Sequence, residues 1–186
     1  MKRLYKPNNR QTVIKMSKEP SVIWFTGLSG AGKTTLAEKL AAYLKAKGEK
    51  CELLDGDTVR NIFPQTGFTK KERDEHVKRM GFLASMLERN GVTVLASFIS
   101  PYRESRDFVR KMCRNFVEVY VSTSLEVCEK RDVKGLYKKA RSGEIKSFTG
   151  IDDPYEAPLH PEITINTAEE TVEESLAKLI DYLALS

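Results

Sequence analysis

Short apolar runs separated by amphipathic stretches set the rhythm of this chain from residue 21 onward. Val22-Ile23-Trp24-Phe25 is bulky and apolar without alternation, the pattern of a strand buried on both faces. Thr34 to Lys47 places Leu36, Leu40, Tyr43 and Leu44 at helical spacing, and Gly48 supplies a stop. Cys51 to Leu54 reads as a second strand. Thr69 and Glu72 have the spacing of a capping box, in which each side chain satisfies the other residue's backbone N–H. The helix opened there carries Val77, Met80, Leu83, Ala84 and Leu87 on one face and ends near Asn90-Gly91. Strands are predicted at 92–98, 116–122 and 162–166, and helices at 103–114, 124–132 and 171–183. Buried strands alternating with helices predict an α/β fold: a five-stranded parallel sheet flanked by helices, with right-handed crossovers.

Residues 133 to 161 interrupt this alternation. Lys, Gly, Pro and Asp are frequent there, and apolar periodicity is poor. So long a stretch inside a compact domain is usually functional, and a mobile lid is expected at about 133–150, with little to anchor it to a core. No internal repeat or second domain is evident. The expected organisation is a basic extension over 1–20 and one catalytic domain over 21–186.

At 186 residues the chain is long enough for a full hydrophobic core, and 40% hydrophobic with 31% charged residues is ordinary for a globular protein. No apolar run approaches the roughly 20 residues that span a bilayer, and the first residues lack the apolar core of a secretory signal. A cytoplasmic location without membrane partners is expected. The pI near 9.0 suggests nucleic-acid binding until the charge is located. Of 31 basic and 26 acidic side chains, six and one lie in residues 1–20, leaving 25 of each in the rest. A balanced body offers no basic face for counterion-release binding, so no nucleic-acid partner is expected. Cys51, Cys113 and Cys128 are scattered, form no C-x-x-C pair and read as packing residues.

The chemistry begins after the first strand. Gly27-Leu28-Ser29-Gly30-Ala31-Gly32-Lys33-Thr34 matches G-x-x-x-x-G-K-[ST] in full, with a strand before it and a helix after. The glycines let backbone N–H groups converge on an anion at a helix N-terminus. Lys33 can reach the β- and γ-phosphates of ATP, and the Thr34 hydroxyl can ligate Mg²⁺. No Asn-Lys-x-Asp guanine signature is present, and strand three ends in Ser97-Phe98 without the usual metal-supporting aspartate. Carboxylates appear instead after strand two, in Asp55-Gly56-Asp57. Strand ends beside the cradle face the phosphates, so this pair can organise metal-bound water and receive a proton from a hydroxyl. That arrangement suits a P-loop kinase of small molecules better than a hydrolytic switch.

Several linked stretches resemble the adenylylsulfate kinase family from about residue 20 to 183. They are Phe25 to Gly30, Leu53 to Asp57, Phe98-Ile99-Ser100-Pro101-Tyr102-Arg103, Arg131 to Ala140, and Phe148 to Glu156. The resemblance implies transfer of the ATP γ-phosphate to the 3′-hydroxyl of adenosine 5′-phosphosulfate, with ATP and Mg²⁺ required. It implies Asp57 as base and Asp55, with Thr34, as the metal-organising pair. Thr35 and Arg131 join the nucleotide-binding residues. Arg60, Arg73, His76 and the loop of Phe98, Ile99, Ser100 and Arg103 are implied to hold the acceptor. Lys134 and Lys139 belong to the lid, and Phe68 and Phe148 sandwich the adenine. Ser100 stands where the family carries an assigned phosphoserine, although direct transfer needs no such intermediate. Two positions depart from the family pattern: His76 and Thr58 each stand where Asn is usual. Homodimerisation and association with ATP sulfurylase are the protein partnerships implied.

Three other readings compete. One is a kinase of the same scaffold acting on another nucleotide-linked acid or a small metabolite hydroxyl. Another is a non-catalytic nucleotide-binding module that docks on a sulfurylase, against which stand Lys33, Thr34, Asp55 and Asp57. The third is an RNA-associated protein acting through its basic lead.

Overall fold

The computed structural model describes residues 19–62 and 67–185. The expected basic extension therefore lies almost wholly outside the described residues. Strands β1 (Val22–Thr26), β2 (Cys51–Asp55), β3 (Thr93–Ser97), β4 (Phe116–Val121) and β5 (Ile163–Ile165) form one parallel sheet in the order β2-β3-β1-β4-β5. Helices α1 (Lys33–Ala46), α2 (Gly56–Ile62), α3 (Lys70–Arg89), α4 (Arg103–Met112), α5 (Leu125–Arg131), α6 (Leu136–Arg141) and α7 (Val172–Leu185) flank it.

All five β1 residues are buried, because β1 is the central strand and is covered on both faces. Ile23 and Phe25 join Leu36 and Leu40 of α1, with Leu179 of α7, in one core layer. Val22 and Trp24 point the other way, into a layer with Val77, Met80 and Ala84 of α3 and Val109 of α4. The unbroken apolar run of β1 is thus two alternating sets, one for each layer. Each fully buried side chain of this size contributes roughly 1.5–3 kcal/mol.

The predicted strands and helices are present, with ends shifted by at most two residues. The Thr69–Glu72 capping box forms as expected: Glu72 N donates to Thr69 Oγ1 and Thr69 N to Glu72 Oε2. Cys51 and Cys128 are buried, whereas Cys113 follows α4 instead of lying inside it. Among the described residues no helix is long and apolar enough to cross a membrane.

Two features differ from expectation. The short helix α2 follows β2 directly, capped by the Asp55 carboxylate, which accepts from the backbone N–H groups of Asp57 and Thr58. The segment 133–150 is also anchored, contrary to the sequence reading. Asp132 accepts from the backbone of Tyr137 and Lys138 and so starts α6, and Tyr137, Ala140 and Phe148 enter the α1-side core layer. Their spacing hid this, because the apolar residues of a one-and-a-half-turn helix and its exit loop do not repeat.

Candidate active site

At the carboxyl end of β1 the chain turns sharply into α1. Gly27 has φ 149°, and a Cβ there would lie 2.5 Å from the Val121 carbonyl of β4, so only glycine fits this close approach. Gly32 has φ 99° and leads straight into the first turn of α1. Ser29, Gly30, Gly32, Lys33, Thr34 and Thr35 face a cavity of about 640 Å³. Gly27, Leu28 and Ala31, also expected at the nucleotide, belong to the same turn but do not line the cavity. Lys33 Nζ donates to the Leu28 carbonyl at 2.7 Å. Burial lowers the Lys33 pKa to about 8.

Strand register assembles the next group. Asp55 of β2 and Ser97 of β3 are paired residues, and both reach the Thr34 hydroxyl. Thr34 Oγ1 donates to Asp55 Oδ2 at 2.9 Å and lies 3.1 Å from Ser97 Oγ. Two hydroxyls and a carboxylate form an all-oxygen donor set, suited to a hard cation that keeps several waters and shares phosphate oxygens. Among the described residues no group of three or more His, Cys, Asp or Glu could hold a metal ion. Ser97 was missed in the sequence, since β3 lacks the expected aspartate and nothing local marks a serine in its place. Asp57 stands at the exposed start of α2, and its carboxylate pairs with the Lys134 ammonium of the turn before α6.

The opposite wall is aromatic and cationic. Arg60, Phe68, Arg73, His76, Phe98, Ile99 and Phe148 all line the same cavity. Phe68 is 60% exposed and lies under two guanidinium groups, Arg60 at 4.7 Å and Arg73 at 6.0 Å from its ring centroid. Phe148 is only 9% exposed and packs edge-on against Tyr137. Arg73 Nε donates to the Phe68 carbonyl at 2.8 Å, while its Nη atoms reach Thr149 Oγ1 and the Ser147 carbonyl. Asp153 pairs with the same guanidinium at 3.4 Å. Arg73 thereby ties the residues beside Phe68 to those beside Phe148.

His76 is 96% enclosed, with 4% of its surface exposed, and its Nε2 has no hydrogen-bond partner. Burial, reinforced by Arg60 and Arg79, lowers its pKa to about 4, so the ring is neutral at physiological pH. It meets Phe98 edge-on at 5.9 Å.

Arg131 closes the cradle side, donating to the hydroxyl and carbonyl of Thr167 at 2.8 and 2.7 Å. Thr167 also lines the cavity and was not singled out from the sequence, although its place just beyond β5, at a strand's carboxyl end, is the usual ligand side.

Three expected site residues are turned away. Ser100 is 2% exposed with φ 39°, and its hydroxyl accepts from Trp24 Nε1 and donates to Thr26 Oγ1, both at 3.0 Å. A hydroxyl used in this way is not presented to a phosphate, so the structure does not support Ser100 as a nucleophile. Arg103 donates from Nε to the Ala157 carbonyl and from its backbone to Glu156, away from the cavity, because α4 begins at this residue and directs its side chain toward the 156–157 segment. Lys139 lies on the outer face of α6 and pairs with Glu144 at 3.4 Å.

Residues 19–166 match the family model described as adenylylsulphate kinase. The chain belongs to the adenylylsulfate kinase family. The adenylyl-sulfate kinase of Rippkaea orientalis is 59% identical over 165 residues, covering 88% of this chain and 91% of that protein. That of Microcystis aeruginosa is 58% identical over 169 residues, covering 90% and 93%. Among solved structures, Mycobacterium tuberculosis APS kinase CysC in complex with AMPPNP and APS superposes with a TM-score of 0.85 at 39% identity, covering 89% of this chain and 98% of the other. Phosphate cradle, oxygen cluster and aromatic wall therefore belong to an adenylylsulfate kinase fold built over nearly its whole length.

Proposed function

We propose that this protein transfers the γ-phosphoryl group of ATP to the 3′-hydroxyl of adenosine 5′-phosphosulfate, yielding 3′-phosphoadenosine 5′-phosphosulfate and ADP. The observation that carries this reading is one cavity lined both by the glycine-rich cradle and by the wall of Phe68, Arg73 and Phe148. The cradle suits a triphosphate, and the wall suits an adenine joined to an anionic group.

In the reaction a bond forms between the acceptor 3′-oxygen and the γ-phosphorus. The bond from that phosphorus to the β–γ bridging oxygen breaks, and ADP leaves. Asp57 takes the proton of the 3′-hydroxyl; to do so it gives up its pairing with Lys134, whose ammonium is then available to the transferring phosphoryl group. Lys33 exchanges the Leu28 carbonyl for β- and γ-phosphate oxygens and neutralises charge in the transition state. Thr34 and Asp55, supported by Ser97, would hold Mg²⁺, which when bound neutralises the β- and γ-phosphate charge. The Phe148 ring, which lines the cavity and is largely buried, excludes water from the acceptor side, which protects ATP from hydrolysis.

The test is an ATP-dependent phosphorylation assay with adenylylsulfate, AMP and a panel of nucleotide and metabolite alcohols. Adenylylsulfate should be preferred, with product phosphorylated at the 3′ position. Preference for another acceptor would move the assignment to a different kinase of this scaffold.

A further inference from the structure

A positively charged side chain lies deep behind the acceptor wall. Arg106 of α4 is 2% exposed and is among the largest fully buried side chains. Each nitrogen of its fork has a partner: Nε donates to Glu118 Oε1 at 2.7 Å, Nη1 to the Ser100 carbonyl at 2.6 Å, and Nη2 to the Glu156 carbonyl at 2.7 Å. Glu118 also accepts from Arg110 at 3.2 Å, and Arg110 pairs with Glu162 at 2.5 Å, so two guanidinium groups face two carboxylates.

Burial of an ion pair is a poor way to gain stability. Desolvation offsets most of the attraction, and apolar replacements of similar volume are often neutral or stabilising. What an arginine offers here is geometry. A rigid planar fork holds three acceptors in a fixed relation, and a hydrophobic side chain cannot. Two of those acceptors are backbone carbonyls of segments far apart in sequence, the 98–103 loop and the 153–157 segment.

The loop it holds is unusual. Ser100 adopts a left-handed conformation at φ 39°, which for a non-glycine residue persists only where the surroundings enforce it. The same loop is tied at other points: Glu156 N donates to the Pro101 carbonyl at 2.8 Å, and Tyr155 Oη lies 3.0 Å from Thr26 Oγ1, which donates to the Ile99 carbonyl at 2.8 Å. On its other side the loop presents Phe98, Ile99 and Pro101 to the cavity.

We propose that Arg106 is a positioning residue for the acceptor, its buried guanidinium fixing the 98–101 loop in the conformation that forms the acceptor wall. Ser100 then acts by holding the loop, with its hydroxyl bridging the Trp24 indole and Thr26. The proposal deepens the adenylylsulfate reading, because the acceptor is what this wall would contact. The nucleotide cradle lies on the other side of the cavity and keeps its own contacts.

The test uses Arg106→Lys, which keeps the charge on Glu118 but cannot reach both carbonyls. Trp24 is the single tryptophan of the chain and donates to Ser100, so its emission reports on the loop without any substrate. The expected result is a shifted Trp24 emission together with a KM for adenylylsulfate raised about 10- to 100-fold, the KM for ATP changing less than about twofold. Should the lysine variant not fold, Arg106→Met/Glu118→Met removes both charges and is read in the same way. An unchanged acceptor KM overturns the proposal, and so does an acceptor loss without an emission change. Equal losses for both substrates with a lower melting temperature would also overturn it, by showing a merely structural role. Wild-type enzyme inactive toward adenylylsulfate would sink the functional reading instead; the same KM comparison, made with whichever acceptor the panel identifies, and Trp24 emission would then decide the role of Arg106.

Discussion

The Thr34 hydroxyl donates to the Asp55 carboxylate at 2.9 Å, although the two residues lie on different elements, at the start of α1 and the end of β2. Their meeting joins the phosphate cradle to the β2 edge of the sheet. Asp57, two residues further on, is directed instead to solvent and Lys134.

That geometry separates the two carboxylates. Asp55→Asn should raise the Mg²⁺ concentration needed for half-maximal rate, because the oxygen set loses its charge. Asp57→Asn should lower kcat by at least about 100-fold with ATP binding nearly intact, as expected of a group acting in the transition state. Metal titrations of the two variants decide it; superimposable curves would end this division of labour.

Lys33 makes nucleotide binding sensitive to pH. Burial lowers its pKa to about 8 in the empty site, and phosphates favour the charged form. Binding therefore takes up a proton above pH 8. Affinity for a non-hydrolysable ATP analogue should be constant below that value and weaken above it, approaching roughly tenfold per pH unit. Calorimetry in buffers of different ionisation enthalpy measures the proton uptake directly. Lys33→Ala should abolish transfer while the protein remains folded.

His76 ties stability to acid. The folded imidazole holds a proton only below about 4, against an ordinary value of 6.5. Between these limits the unfolded chain binds more protons, so stability rises with pH across the window and is complete above 6.5. Acidification from 6.5 toward 4 should remove up to about 1.4 kcal/mol per pH unit through this group. The stability lost between pH 7.5 and pH 5, read from denaturant midpoints, should be larger for wild type than for His76→Asn.

The two aromatic residues of the acceptor wall should behave differently. Phe68 is largely exposed, so Phe68→Ala should leave the melting temperature nearly unchanged. Losing a base stack worth about 1–3 kcal/mol should still cost roughly 5- to 150-fold in kcat/KM for the acceptor. Phe148 is part of the core layer, and Phe148→Ala should lose both acceptor efficiency and several degrees of stability. Thermal unfolding beside steady-state kinetics distinguishes them, and identical melting curves would show that Phe148 is not a core residue.

The local structure was legible wherever the deciding residues are contiguous. The glycine cradle, the Thr69–Glu72 box and the two-sided burial of β1 each depend on backbone conformation and neighbours a few residues away, and each was readable from contiguous residues. Helix α6 was not, because its start depends on Asp132 capping a turn that opens with a left-handed glycine, a signal without periodicity. Phe148 was singled out as an acceptor contact, but not the core layer that it enters with Tyr137.

By itself the sequence determined the parallel α/β architecture and the triphosphate cradle, since each follows from contiguous patterns of side-chain size, polarity and glycine; the acceptor residues were named only through motifs that resemble a known family. Tertiary structure alone decided how those residues are used. It put Ser97 beside Thr34 through strand register and wired Arg73 to segments more than 70 residues away. It turned the Ser100 hydroxyl toward Trp24 and spent every side of Arg106 on interior acceptors. A guanidinium or hydroxyl in a sequence states only what it can bond. Which partner it meets depends on how distant segments pack, and that relation leaves no trace in the spacing along the chain.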